Sequence, residues 1–155
     1  MDLEPTDEQR LLIQTVRRYV REQIIPLEAE LDPDAYELPQ ADYQRLVKMT
    51  KEMGLWAMSA PVEYGGAGLD LTTQALLAEE MSQHRAGLYA PCYDTFGGGG
   101  LAQLYDASDY IKERYLLPMI RGEKRAFFAL SEPSGGSAPA RAIQTRAVKD
   151  GDDWI

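Results

Sequence analysis

Phe127-Phe128-Ala129-Leu130-Ser131-Glu132-Pro133-Ser134-Gly135-Gly136-Ser137 marks the place where this 155-residue chain changes character. The aromatic and aliphatic run over 125–130 reads as a strand, and it empties into a loop of small side chains. Gly135 and Gly136 let main-chain N–H groups come close to a ligand. Ser131 and Ser137 add hydroxyl donors that can meet pyrophosphate or ring oxygens. Successive N–H groups in such a turn can also form an anion-binding nest. By composition alone a plain surface loop is the commoner reading of a Gly/Pro/Ser cluster. The stretch is not a Walker loop, because no Gly-Lys-Ser/Thr follows, and it lacks the glycine spacing of a Rossmann turn.

Upstream of it the patterning is helical. Thr6 and Gln9 have capping-box spacing, so a helix is expected from Asp7. Leu12, Val16, Tyr19 and Ile24 recur on one side of it, and Pro26 is expected to end it. Residues 27–39 read as an acidic connection. A second helix is expected over 40–53, with Tyr43, Leu46, Val47 and Met53 on one side and Gly54 as its stop. Residues 60–70 form a glycine-rich loop. A third helix over 71–83, capped by Asp70, offers Leu76, Leu77 and Met81 as a buried face. Residues 87–104 are apolar and small, which predicts a buried helix, although each residue of Gly97-Gly98-Gly99-Gly100 costs about 1 kcal/mol against Ala. Ser108 is expected to cap a fifth helix that ends before Pro118.

Downstream, residues 142–148 alternate like a strand, Asp150-Gly151 is a hairpin signal, and Trp154-Ile155 begins the next strand. The fold class is therefore mainly α: an N-terminal helical bundle, 1–122, leading into the first strands of a β domain, 123–155. Two and a half strands do not make a stable domain alone. The expectation is an incomplete β region, belonging to a longer protein or to a half-protein completed by another chain.

The formal charge of −9 argues against a nucleic-acid backbone or an anionic membrane as partner. No apolar run reaches the roughly 20 residues of a membrane helix. The acidic N-terminus does not read as a signal peptide. One cysteine, Cys92, excludes an intramolecular disulfide and fits a reducing cytoplasm. One histidine, His84, argues against a zinc site within the chain. No metal is expected.

The 127–137 stretch resembles the flavin-contacting signature of the acyl-CoA dehydrogenase family: an aromatic or aliphatic pair, Thr/Ser-Glu-Pro, two small residues, then Gly-Ser-Asp. Three further segments resemble the same family in the same order. They are Pro61-Val62-Glu63-Tyr64-Gly65-Gly66-Ala67-Gly68-Leu69 followed by Glu79-Glu80; Tyr115-Leu116-Leu117-Pro118 with Gly122-Glu123-Lys124; and Gly151-Asp152-Asp153-Trp154-Ile155. The resemblance implies FAD as cofactor and α,β-dehydrogenation of an acyl-CoA thioester, an oxidoreductase of fatty acid metabolism. It implies flavin contacts from Phe128, Leu130 and Ser131. Gly136 and Ser137 match the residues that touch the flavin and the thioester end of the CoA ligand. Ala138 replaces the family's usual Asp, and Pro139 next to it stiffens the loop.

In the family the β domain is a barrel. The catalytic carboxylate comes from a C-terminal helical domain, so no catalytic residue is assigned here. Electrons would pass to an electron-transfer flavoprotein, and a homo-oligomer, dimer or tetramer, is implied. An acyl-CoA oxidase or flavin monooxygenase relative is a rival reading. Another is a non-catalytic subunit or interaction module paired with a chain that carries the base.

Several residues have blander readings. Glu79 and Glu80 point about 100° apart on a helix and are not a paired acid site, so a solvated or capping role is expected. His84 and Arg85 are expected to close a helix, where positive charge suits the dipole. Cys92 reads as a small apolar filler. The Glu63–Gly66 turn reads as packing within the helical domain. Trp154 starts a strand and is not a flavin-stacking tryptophan. Gly97 and Gly98 have two readings: close packing, or a widened acyl cavity that would suit branched or cyclic acyl groups.

Overall fold

The computed structural model describes residues 4–35, 37–84, 93–127, 131–133 and 143–155. The chain divides into two compact units, Met1–Arg125 and Ala126–Ile155, and the first is helical. Helix α1, Asp7–Tyr19, opens on a complete capping box. The Thr6 N–H donates to Gln9 Oε1 (2.9 Å), and the Gln9 N–H donates to Thr6 Oγ1 (3.2 Å). Asp7 and Glu8 in its first turn and Arg17 and Arg18 in its last complement the helix dipole.

Pro26 does not end this helix. A π turn, Val20–Ile24, follows α1, and α2, Ile25–Glu30, continues with the proline in its first turn. The same arrangement recurs. Helix α5, Asp109–Ile111, passes through a π turn, Lys112–Leu116, into α6, Leu117–Arg121, which carries Pro118 in its first turn. In each case the residue before the proline donates its N–H five residues back: Ile25 to Val20, Leu117 to Lys112. A proline has no N–H to give, and its ring crowds the carbonyl four residues earlier. The wider π turn accommodates both facts, and the first turn of a new helix needs no N–H from the proline. At the second site the carbonyl four residues before the proline, Arg114 O, accepts from Lys124 Nζ (2.8 Å) instead.

Helix α3, Gln40–Glu52, and helix α4, Leu71–Met81, lie where the sequence puts them. Gly54 takes φ +69° just after α3, a conformation that costs glycine nothing. Asp70 caps α4 by accepting the Thr73 N–H (3.0 Å). One core gathers Val16, Tyr19, Val20, Ile24, Leu46, Leu55, Leu77, Met81 and Phe96. The Tyr19 hydroxyl donates to Thr95 Oγ1 (3.1 Å), and the Thr50 hydroxyl donates to Thr95 O (2.6 Å), so the polar atoms of this core are partnered. A second cluster holds Trp56, Ala57, Ala60, Leu116 and Ile120.

Two side chains to which the sequence assigned solvated, capping or helix-end roles are interior. Glu80 is buried and takes a two-pronged ion pair from Arg17, which joins α4 to α1. His84 lies beyond the end of α4 and is buried with its Nδ1 3.1 Å from Glu28 Oε1, so it pairs with a carboxylate and does not cap the helix. The expected helix over 87–104 is also absent from its described part. Two 3-10 turns, Tyr93–Phe96 and Ala102–Asp106, flank an irregular Gly97–Gly100. Gly97 and Gly100 take φ of +68° and +76°, which a helix cannot contain.

The second unit contains a hairpin. Strand β1, Lys149–Asp150, pairs antiparallel with β2, Asp153–Trp154, and Gly151 turns the corner at φ +62°. Val148 and Ile155 exchange both backbone hydrogen bonds and extend the pairing by one step. The expected strand over 142–148 is not laddered within its described residues 143–147. Two of its N–H groups, those of Gln144 and Thr145, go to the Glu132 carboxylate instead (2.8 Å each).

Candidate cofactor and acyl-binding site

Of the flavin contacts that the sequence suggests, Phe128, Leu130, Gly136 and Ser137 lie outside the described residues, as does Cys92. Ser131 is described and exposed, and its hydroxyl has no hydrogen-bond partner among the described residues. Next to it, Glu132 is half-buried and fully engaged. Its carboxylate accepts the Thr145 hydroxyl and the N–H groups of Gln144 and Thr145. These donors favour the charged form and hold Glu132 below the usual carboxylate range, the Thr145 hydroxyl contributing most. Sequence reasoning gave Glu132 no role beyond its place in the motif. The signal was present: one carboxylate in a strand-to-loop segment otherwise free of charge.

The glycine run is positioned by the helical unit. A Cβ on Gly97 would lie 2.6 Å from Trp56 Cε2, and one on Gly122 would lie 2.7 Å from Trp56 Cζ2. The indole is therefore wedged between two glycines that have no room for a side chain. A Cβ on Gly100 would meet Leu116 Cδ1 at 2.7 Å, whereas one on Gly98 would meet nothing within 4 Å. The Tyr105 hydroxyl donates to Gly99 O and fixes the run from the other side. Burial pushes the Tyr105 phenol up, with Tyr64 and Glu63 adding to the effect. Much of the volume the glycines release is thus taken by Trp56 and Leu116, and Gly98 alone faces open space. Composition could not reveal this, because the partner of the run, Trp56, is some forty residues away in sequence.

A pocket of about 450 Å³ opens beside Trp56, lined by Lys51, Tyr64, Gly65, Ile120, Arg121 and Glu123 among others. The Trp56 N–H donates to Ile120 O (2.6 Å). Lys51 donates to Arg121 O (3.2 Å) and sits 4.5 Å over the indole. Arg121 pairs with Glu123 (2.9 Å). These polar groups are already engaged with one another. Among the described residues no group of three or more His, Cys, Asp or Glu could hold a metal ion. No helix among them is long and apolar enough to cross a membrane.

The family model for the acyl-CoA dehydrogenase N-terminal domain matches residues 6–123. A 3-(aryl)acrylate reductase from Clostridium sporogenes is 36% identical over 97% of this chain and 38% of its own length. Glutaryl-CoA dehydrogenase from Mycobacterium smegmatis superposes with a TM-score of 0.71 at 32% identity, over 97% of this chain and 38% of that one. An acyl-CoA dehydrogenase from Bacillus anthracis, solved with FAD, gives 0.65 at 29% identity over 93% and 24%. The chain thus spans well under half the length of these relatives. With a match that runs from the capping box of α1 to the residue after Gly122, this chain belongs to the acyl-CoA dehydrogenase family, whose N-terminal domain it contains.

Proposed function

We propose that this chain supplies the acyl-facing helical domain, 1–122, and the first flavin-contacting segment, within 123–155, of a FAD-dependent enzyme that α,β-dehydrogenates acyl-CoA thioesters. The observation that carries the reading is the family match over residues 6–123, supported by an FAD-containing structural neighbour. Ser131, with Phe128 and Leu130, would lie along the flavin ring, and Gly136 and Ser137 would meet the flavin and the thioester. Bound FAD supplies the acceptor for the hydride that leaves the β-carbon. The residues of this chain bind and orient; none of them is assigned as the base that removes the α-proton. Gly97 and Gly98 are placed on the acyl side, with Gly98 as the position where a bulky acyl group would gain room. An electron-transfer flavoprotein as electron acceptor, a dimer or tetramer, and a cytoplasmic location complete the reading.

The test is the visible absorption of the full-length protein, expressed with riboflavin available. Yellow protein whose flavin bands bleach anaerobically with acyl-CoA supports dehydrogenation, and the acyl-CoA that bleaches fastest identifies the chain preference. A colourless protein that takes up no FAD rules the reading out. Best activity on short straight chains would count against Gly98 as a position that admits bulk.

A further inference from the structure

We propose that Glu132 is a positioning residue, whose carboxylate ties the Ser131-Glu132-Pro133 segment to the chain at Gln144 and Thr145 and so sets the place of the Ser131 hydroxyl. The inference rests on the reading that this segment contacts FAD, and it adds what holds the segment in register.

The geometry is specific. Both carboxylate oxygens are used: one accepts the Gln144 N–H (2.8 Å), and the other accepts the Thr145 N–H (2.8 Å) and the Thr145 hydroxyl. Three donors on one carboxylate make charge-assisted hydrogen bonds, stronger than those between neutral groups. The two adjacent N–H groups fix the direction of the carboxylate as well as its distance. Residues 133–143 separate the two tied points in sequence, with small residues throughout 134–140, and glycine-rich sequence by itself holds its ends only weakly. A tie at Glu132 removes that freedom one residue from Ser131. Among the described residues 143–147 make no ladder hydrogen bonds, and the Gln144 and Thr145 N–H groups are taken by the carboxylate. The cross-link is thus made by a side chain inside the cofactor motif. A purely structural strand pairing would have used backbone atoms.

The test uses the full-length protein with Glu132→Gln, Glu132→Asp and Thr145→Val. Glu132→Gln keeps the size but turns an NH2 toward N–H donors. Thr145→Val removes only the hydroxyl donor and serves as the second variant if Glu132→Gln fails to fold by circular dichroism. Three readouts are taken: amide hydrogen exchange at 144–145 in the FAD-free protein, the FAD dissociation constant, and the absorption maxima of the bound flavin. The expected result is slow exchange in the parent, faster exchange in Glu132→Gln, and FAD affinity lower by roughly tenfold or more with shifted flavin bands, as for loss of hydrogen bonds to a charged group. Thr145→Val should show the same changes to a smaller degree, and Glu132→Asp should recover part of the affinity.

Parent protein that binds no FAD overturns the functional reading, and the positioning role with it. Parent protein that binds FAD while Glu132→Gln binds it equally well with an unchanged spectrum overturns the positioning role alone. Unprotected amides at 144–145 in the parent overturn the tie itself.

Discussion

Arg17 and Glu80 are sixty-three positions apart and share two hydrogen bonds: Arg17 Nε to Glu80 Oε2 at 2.9 Å and Arg17 Nη2 to Glu80 Oε1 at 2.6 Å. The planar fork of a guanidinium fits a carboxylate in this way, and a lysine would not reproduce it. The pair fastens α4 to α1. The Glu80 side chain is 5% exposed and that of Arg17 is 44% exposed, so the acid is the member that depends on its partner. The hydrogen bond from Arg17 holds the Glu80 carboxyl below its usual range, and the Arg17 and Arg21 charges add to this against the opposing effect of burial.

A depressed folded-state value means that Glu80 stabilises the fold at pH above its unfolded value, about 4.3, and that this contribution fades as pH falls through the lower folded value. Glu80→Gln is therefore expected to lower the melting temperature at pH 7, with the gap from the parent closing below about pH 4. Arg17→Ala should lower it further, because it strands the buried carboxylate. Thermal melts of the three proteins from pH 3 to pH 7 check both statements. A gap that stays constant with pH would show that the loss is one of packing and not of charge.

Gly97 and Gly98 are neighbours with opposite expected tolerance. Gly97 sits at φ +68° and its missing Cβ faces the Trp56 ring, so Gly97→Ala meets both backbone strain and overpacking. A loss of about 2 kcal/mol or more is expected. Gly98 has open space, and Gly98→Ala should stay within about 0.5 kcal/mol. Urea denaturation followed by circular dichroism measures both. Equal losses would mean that the indole does not occupy the place described for it.

Thr6→Ala tests how much of α1 depends on its cap. The variant removes the oxygen that accepts the Gln9 N–H and leaves the bond from the Thr6 N–H to Gln9 Oε1 without its counterpart. A loss of about 1 kcal/mol is expected, and Thr6→Ser should recover most of it. Denaturation midpoints of the two variants decide the matter, since a side chain at the exposed helix start has little packing to lose.

Local signals explain most of what the sequence disclosed. The Thr6–Gln9 spacing, the Asp70 cap, the Gly54 stop and the Asp150-Gly151 turn each act within a few residues, and each lies where the chain's chemistry puts it. What was illegible depends on distant partners. Glu80 looked solvated until Arg17 came beside it, and His84 looked like a helix end until Glu28 met it. The two prolines were misread for another reason. A proline forbids one hydrogen bond but not the helix, provided that the preceding turn widens, and nothing in the residue types before Pro26 or Pro118 announces that widening. In the candidate site, the motif suggested residues for a flavin contact, while the tie from Glu132 to Gln144 and Thr145 needed the folded chain.

The second π turn yields a test of that account. Pro118 leaves Arg114 O without its α-helical donor, and Lys124 Nζ takes the vacant acceptor at 2.8 Å. Pro118→Ala restores an N–H that can reach the same carbonyl, so the turn is free to tighten to α geometry. Lys124→Met should then cost about 0.5 kcal/mol in the parent, the net worth of one surface hydrogen bond, and close to nothing in the Pro118→Ala background. The two substitutions are thus expected to couple, and a double-mutant cycle on urea unfolding measures the coupling. Strict additivity would mean that Lys124 does not replace the proline's missing donor, and the widened turn would need a cause other than the imino acid that follows it.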